Sequence, residues 1–249
     1  GRRHGAGTLT SADGGYVYDG EWADDRRHGE GRCVFRGRES YSGGWRDDAF
    51  HGRGALCDAA RNTYDGEWIN NLFHGHGVFT SSDFVNVGVG FAHTGQRYEG
   101  AYEYGRKHGK GIQHLQDGSV YDGEFRNNLF HGEGVLKTKK GDKLMGVFER
   151  GKISGSGKIQ FTNGDSYDGE LQGGRFHGKG RFVYNGGGTY DGHYKHGEFH
   201  GEGTMRFVDG ATYTGDWFKG ERHGTGIMTY YSGNVYDGEY KANKKEGST

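Results

Sequence analysis

Proline is absent from this 249-residue chain, cysteine occurs only twice, and charge of neither sign prevails. Without proline, every backbone N–H is free to join a sheet ladder, so nothing local forbids continuous strands. Two cysteines, Cys33 and Cys57, are too few for a disulfide framework, which suits a reducing compartment and a cytoplasmic setting. Lys and Arg total 32 against 33 Asp and Glu, a net charge of -1. Nucleic-acid binding needs a basic footprint, so this balance argues against it. No apolar run reaches the roughly 18 residues of a membrane-spanning helix, and no signal-peptide core is present. Large apolar residues are scarce as well: Val, Ile, Leu and Phe number 40 of 249, about 16%, which is the range of disordered chains.

What the chain has instead is 53 glycines and 14% aromatic residues at near-neutral charge. Disordered segments combine few aromatics with strong net charge, so this chain does not fit them. Its order must come from something other than a spherical aliphatic core, and repetition is the first possibility. Glycine interrupts nearly every window, so no stretch fits the helical template.

The repetition is Tyr-x-Gly-x-aromatic followed by His-Gly-x-Gly. It starts at Tyr18, Tyr41, Tyr64, Tyr98, Tyr121, Leu144, Tyr167, Tyr190, Tyr213 and Tyr236. Every interval is 23 residues except the 34 from Tyr64 to Tyr98. Counting the first residue as position 1, position 3 is always Gly and position 5 holds Trp22, Trp45, Trp68, Tyr102, Phe125, Phe148, Leu171, Tyr194, Trp217 and Tyr240. Position 11 is His except at Ser154 and at Glu246 of the last repeat; Gly follows at 12 and, before the last repeat, at 14. The opening His4-Gly5-Ala6-Gly7 closes one more repeat, so residues ahead of Gly1 are expected.

Rings at 1 and 5 alternate with polar residues at 2 and 4, such as Asp19 and Glu21, which is the period of a half-buried strand. Positions 14, 16 and 18 read as a second strand facing the same way. A simple antiparallel register pairs 1 with 16, 3 with 14 and 5 with 12. Glycine then opposes glycine and leaves a slot for large rings. A lone hairpin is marginal in water, so each repeat needs its neighbours. The fold expected is all-β, a single-layer antiparallel hairpin solenoid, elongated and twisted, running continuously through residues 1–249. Its irregularities are an insertion at about 81–94, either a lengthened hairpin or a degenerate half-unit, and a degenerate unit at 144–166 that lacks the Tyr and His.

These residues resemble the MORN repeat family, whose unit is a Tyr/Trp/Gly hairpin of this length, over essentially the whole chain. The resemblance implies a scaffold that binds proteins or dimerises, with a cilium, flagellum, axoneme or cortical cytoskeleton as the setting. It also implies two alternatives: a peripheral module on anionic phospholipid, and an accessory repeat region of a larger enzyme.

The residues point the same way about chemistry. Nine His share position 11, but successive ones stand one repeat apart, roughly 10 Å by strand spacing, too far to share an ion. No metal site or cofactor is expected. The glycines lack the helix-opening Gly-x4-Gly-Lys of a phosphate loop, and a catalytic group is normally unique where these are repeated. No enzymatic activity is expected. The rings Tyr18, Trp22, Tyr41, Trp45, Tyr64, Trp68, Tyr213 and Trp217 are first a core, and those left uncovered would line a protein-binding groove, for a helix or another copy of the chain. Phe84 and Phe91 in the apolar insertion are a further docking candidate. Lys137, Lys139, Lys140 and Lys143 cluster at one turn and are the candidate contacts for anionic lipid. Open sheet edges make self-association a reasonable expectation.

Overall fold

The computed structural model describes residues 1–37, 39–86 and 93–246, and among them there are strands and turns but no helix. They fall into two compact units, Gly1–Phe130 and His131–Thr249. In each, the repeat strands form an antiparallel layer in which every one pairs with the repeat strands on either side, as the repeat pattern predicts.

One repeat explains the others. Its first strand is Thr189–Lys195 and its second Glu198–Arg206. The two are joined by His196 and Gly197, at φ of 56° and 94°. Two consecutive residues with positive φ make the primed turn whose twist matches that of the flanking strands. Asp47-Asp48 and Asn70-Asn71 do the same at φ of 48°, 68°, 49° and 64°. Asn and Asp are the non-glycine residues that adopt this conformation most readily.

This tight turn corrects one element of the expected register. Tyr190 pairs with Met205 and Gly192 with Gly203, which are positions 1 with 16 and 3 with 14. Position 5, however, pairs with position 10 inside the hairpin, Tyr194 with Phe199, after a register shift. The pairing of 5 with 12 occurs instead between neighbouring repeats, as Trp217 with Gly201. A two-residue turn consumes fewer residues than a 5-to-12 pairing demands, and the surplus at 11–13 bulges out. Position 12 lies at the bulge with positive φ, 60° at Gly201 and 72° at Gly52, which is why His-Gly-x-Gly recurs. The acids at position 4 have a structural task here. Glu170 accepts a hydrogen bond from the bulged Lys179 N–H at 3.0 Å, and Asp216 one from the Thr225 N–H at 2.9 Å.

Neither irregularity breaks the pattern. Across the insertion, Phe79 pairs with Tyr98, Gly77 with Gly100 and Gly75 with Tyr102, the ordinary register between repeats. Val85–Asn86 pairs separately with His93–Thr94. In the degenerate repeat Leu144 pairs with Ile159 and Phe148 with Ile153, and both Phe148 and Ile153 are buried. Aliphatic side chains there replace the Tyr and Phe of other repeats.

Candidate functional site

The inner face of each unit is built on the position-1 tyrosine. In all nine repeats that carry it, the hydroxyl donates to the position-4 carbonyl of its own strand at 2.6–3.2 Å. That bond pins the ring flat across the glycines. A Cβ added at Gly111 would lie 2.6 Å from the Tyr98 hydroxyl and 2.7 Å from its ring carbons. The slot anticipated between facing glycines is therefore filled by tyrosine. Position 5 meets the same ring edge-on, with centroids 5.1 Å apart for Tyr18 and Trp22 and 5.0 Å for Tyr64 and Trp68. Where position 5 is Trp, its indole N–H donates to a position-14 glycine carbonyl of the preceding repeat, 3.0 Å for Trp45 to Gly31 and 2.9 Å for Trp68 to Gly54. Each repeat is thus tied to the last by ring packing and by a hydrogen bond.

Burial pushes these phenols up, to about 12 for Tyr18 and Tyr213 and beyond that for Tyr41, Tyr64, Tyr98, Tyr167 and Tyr190. Below about pH 10 both folded and unfolded chains hold these protons, so the stabilisation is complete. Above it the unfolded chain releases protons that the folded chain retains, and stability falls as pH rises from about 10 through about 12 and beyond. In an alkaline titration, tyrosinate absorbance and loss of the strand circular dichroism are expected to appear together. Ionisation of most tyrosines over an intact sheet would contradict this burial.

The rings singled out from the sequence are core. Tyr18, Tyr41, Tyr64 and Tyr213 are 0–1% exposed, and Trp22, Trp45, Trp68 and Trp217 are 3–7% exposed. The rings of the inner face that stay partly exposed stand at position 10, which the alternation at positions 1–5 and 14–18 does not reach. Phe50, Phe73, Phe130, Phe176 and Phe199 stand there, half-buried. Each lies parallel on the tyrosine of its own hairpin at 3.7–3.9 Å between centroids. The recurring Phe-His-Gly before each bulge is the signal that would have found them. Other repeats put a cation in this place: Arg27, Lys107, Arg222 and Lys245, each within 6 Å of a ring centroid.

Phe84 is half-buried, its ring 5.7 Å from that of His114, and Phe91 lies outside the described residues. The four lysines come together at one hairpin end. Lys137 pairs directly with Lys143, and Lys139 and Lys140 occupy the turn between them. The position-11 histidines lie beside the turn of a neighbouring hairpin: His177 meets the His196 ring at 6.0 Å, and Tyr104 N–H reaches His74 Nδ1 at 3.5 Å. No group of three or more metal-ligating side chains occurs among the described residues.

A family model described as MORN repeat matches residues 1–16, 18–37, 41–58, 64–84, 98–120, 121–143, 145–166, 167–189, 190–212, 213–235 and 236–248. No curated protein matches the chain. Among solved structures, the wild-type TCP10 domain of Danio rerio CPAP in complex with a peptide of Danio rerio STIL is similar at 13% identity and a TM-score of 0.39, covering 94% of this chain and 99% of that one. The SAS-4 (dCPAP) TCP domain of Drosophila melanogaster, in complex with a proline-rich motif of Ana2 (dSTIL), is similar at 9% identity and a TM-score of 0.34, covering 76% and 85%.

Proposed function

The chain belongs to the MORN repeat family, and from that premise we propose that it is a non-enzymatic scaffold that holds protein partners on the inner face of its hairpin array. The observation that carries this reading is the row of half-buried phenylalanines at position 10. Each is backed by a tyrosine that cannot move, because its ring lies against glycine backbone and its hydroxyl is bonded. Rigid aromatic rings at a fixed step give large contact area at small entropic cost, which is what a docking surface needs. A cytoplasmic site in a cilium, flagellum, axoneme or cortical cytoskeleton follows from the family resemblance and is part of the proposal.

A variant carrying Phe50→Ser and Phe73→Ser removes this surface and leaves the tyrosines in place. It is expected to keep its strand circular dichroism and to lose the proteins that the native chain captures from a ciliated-cell extract. Capture of the same set by the variant would sink the reading. A second reading, binding of anionic phospholipid, is favoured by one observation: Lys137 and Lys143 stand directly opposite each other beside Lys139 and Lys140. Four lysines at one hairpin end make a cluster of the size that anionic headgroups attract. Salt-sensitive flotation with phosphatidylserine vesicles, lost in Lys139→Gln with Lys140→Gln, together with no protein capture, would put this reading in place of the first.

A further inference from the structure

Along the first unit, position 10 runs Arg27, Phe50, Phe73, Lys107, Phe130, so the ring-lined row holds two cations. Their surroundings differ. Arg27 is neutralised within the chain: its Nε lies 3.0 Å from the carboxylate of Asp48, at position 8 of the next repeat. The residue equivalent to Asp48 beside Lys107 is Asn128. Asn128 accepts the same hydrogen bond from the position-10 backbone N–H, at 2.8 Å, but brings no charge. Among the described residues no carboxylate lies within ion-pair distance of Lys107. Its ammonium faces the Tyr98 ring at 5.0 Å. It borders a cavity of about 200 Å³ that Phe73, Phe79, Tyr98 and Tyr102 also line. Burial holds its amine down at about 8. A desolvated cation without a counter-charge is costly, and a carboxylate delivered to it recovers much of that cost.

We propose that this stretch of the inner face receives an amphipathic helix of a partner protein, which sets a carboxylate on Lys107 and apolar side chains on Phe73 and Phe130. The inference rests on the inner face being the docking surface. A helix matches the step between repeats. Two strands at about 4.8 Å make a step of roughly 9.6 Å. Seven residues of helix rise about 10.5 Å and return to the same face. A β-strand returns to the same face every two residues, at roughly 6.6 Å or 13 Å, and misses the step; a polyproline II segment returns every three residues at about 9.3 Å and meets it, and the helical peptides below separate the two. The described residues of a second copy hold no helix to lay on this face. The partner therefore carries apolar, acidic, apolar side chains at successive intervals of seven.

Two helical peptides test this on the intact chain. Both carry Leu at the first and fifteenth positions of a 15-residue window, and they differ only in Glu or Gln at the eighth. The Glu peptide is expected to bind roughly tenfold tighter than the Gln peptide. The difference should vanish in Lys107→Met and survive in Lys107→Arg, with the strand circular dichroism of both variants unchanged. Equal affinity of the two peptides, with both lost in Phe73→Ser, would overturn the assignment to Lys107 and leave the docking face standing. Binding of neither peptide overturns the helix assignment, and the capture experiment above then judges the docking face alone. A response of the Lys107 amine resonance to inorganic phosphate or phosphatidylserine vesicles, but not to the Glu peptide, would likewise overturn it in favour of a phosphate ligand.

Discussion

Gly192→Ala is expected to destabilise its hairpin by about 3 kcal/mol or more, the upper end of what overpacking costs. The added methyl would sit 2.5 Å from the Gly203 Cα, 2.7 Å from the Tyr190 hydroxyl and 2.8 Å from the Glu202 carbonyl. Two of these three atoms are backbone of the paired strand, which cannot step aside without breaking the ladder. The third belongs to a ring held by its own hydrogen bond. Because each repeat is stabilised chiefly by its neighbours, the damage spreads to both sides. Gly186→Ala is the control: its φ is ordinary, and the nearest atom to an added methyl is 4.0 Å away. That change is expected to be neutral or slightly stabilising. Urea denaturation followed by circular dichroism separates the two. Equal midpoints for both variants would mean that the glycine at position 3 is not there for space.

The second large effect is at the ring that fills that space. Tyr190→Ala is expected to cost about 3–5 kcal/mol, the range for deleting a buried aromatic side chain. Tyr190 is fully buried, stacked on Phe199 at 3.7 Å and met edge-on by Tyr194 at 5.2 Å and Trp217 at 5.4 Å. Its removal opens contacts in two repeats together. Tyr190→Phe keeps the ring and loses only the hydroxyl bond to the His193 carbonyl, so it is expected to cost about 1 kcal/mol. Phe199→Ala should fall well short of Tyr190→Ala, because Phe199 is only half-buried. If Phe199→Ala proved the more damaging of the two, the division of this face into a tyrosine core and a phenylalanine surface would be wrong.

That division was invisible in the sequence, for a local reason. The facing of positions 1, 3, 14 and 16 was legible because alternation along a strand is strict and glycine marks the crowded rows. Positions 6–11 carry no alternation that marks a strand, although Asp47-Asp48, Asn70-Asn71 and Asn127-Asn128 are residues that tolerate the positive φ a two-residue primed turn needs. Missing that turn hid the bulge, and with it the place of Phe50 and Phe73 on the ring-lined face. The acids at position 4 do more than alternate with the rings: Glu67, Glu170 and Asp216 bond the bulged N–H groups. The contrast between Arg27 with Asp48 and Lys107 with Asn128 joins residues 21 apart, and only the pairing of neighbouring hairpins brings them together.

The sequence by itself therefore determined the all-β class, the 23-residue hairpin unit and the register of its central glycines. Period-two patterning and the steric demand for glycine act over a few residues and leave their mark on the chain. Only the tertiary structure decided which rings are core and which are surface. Tyrosine and phenylalanine are both large aromatic rings, and what separates them here is that the tyrosine hydroxyl bonds the backbone beneath it while the phenylalanine lies on top.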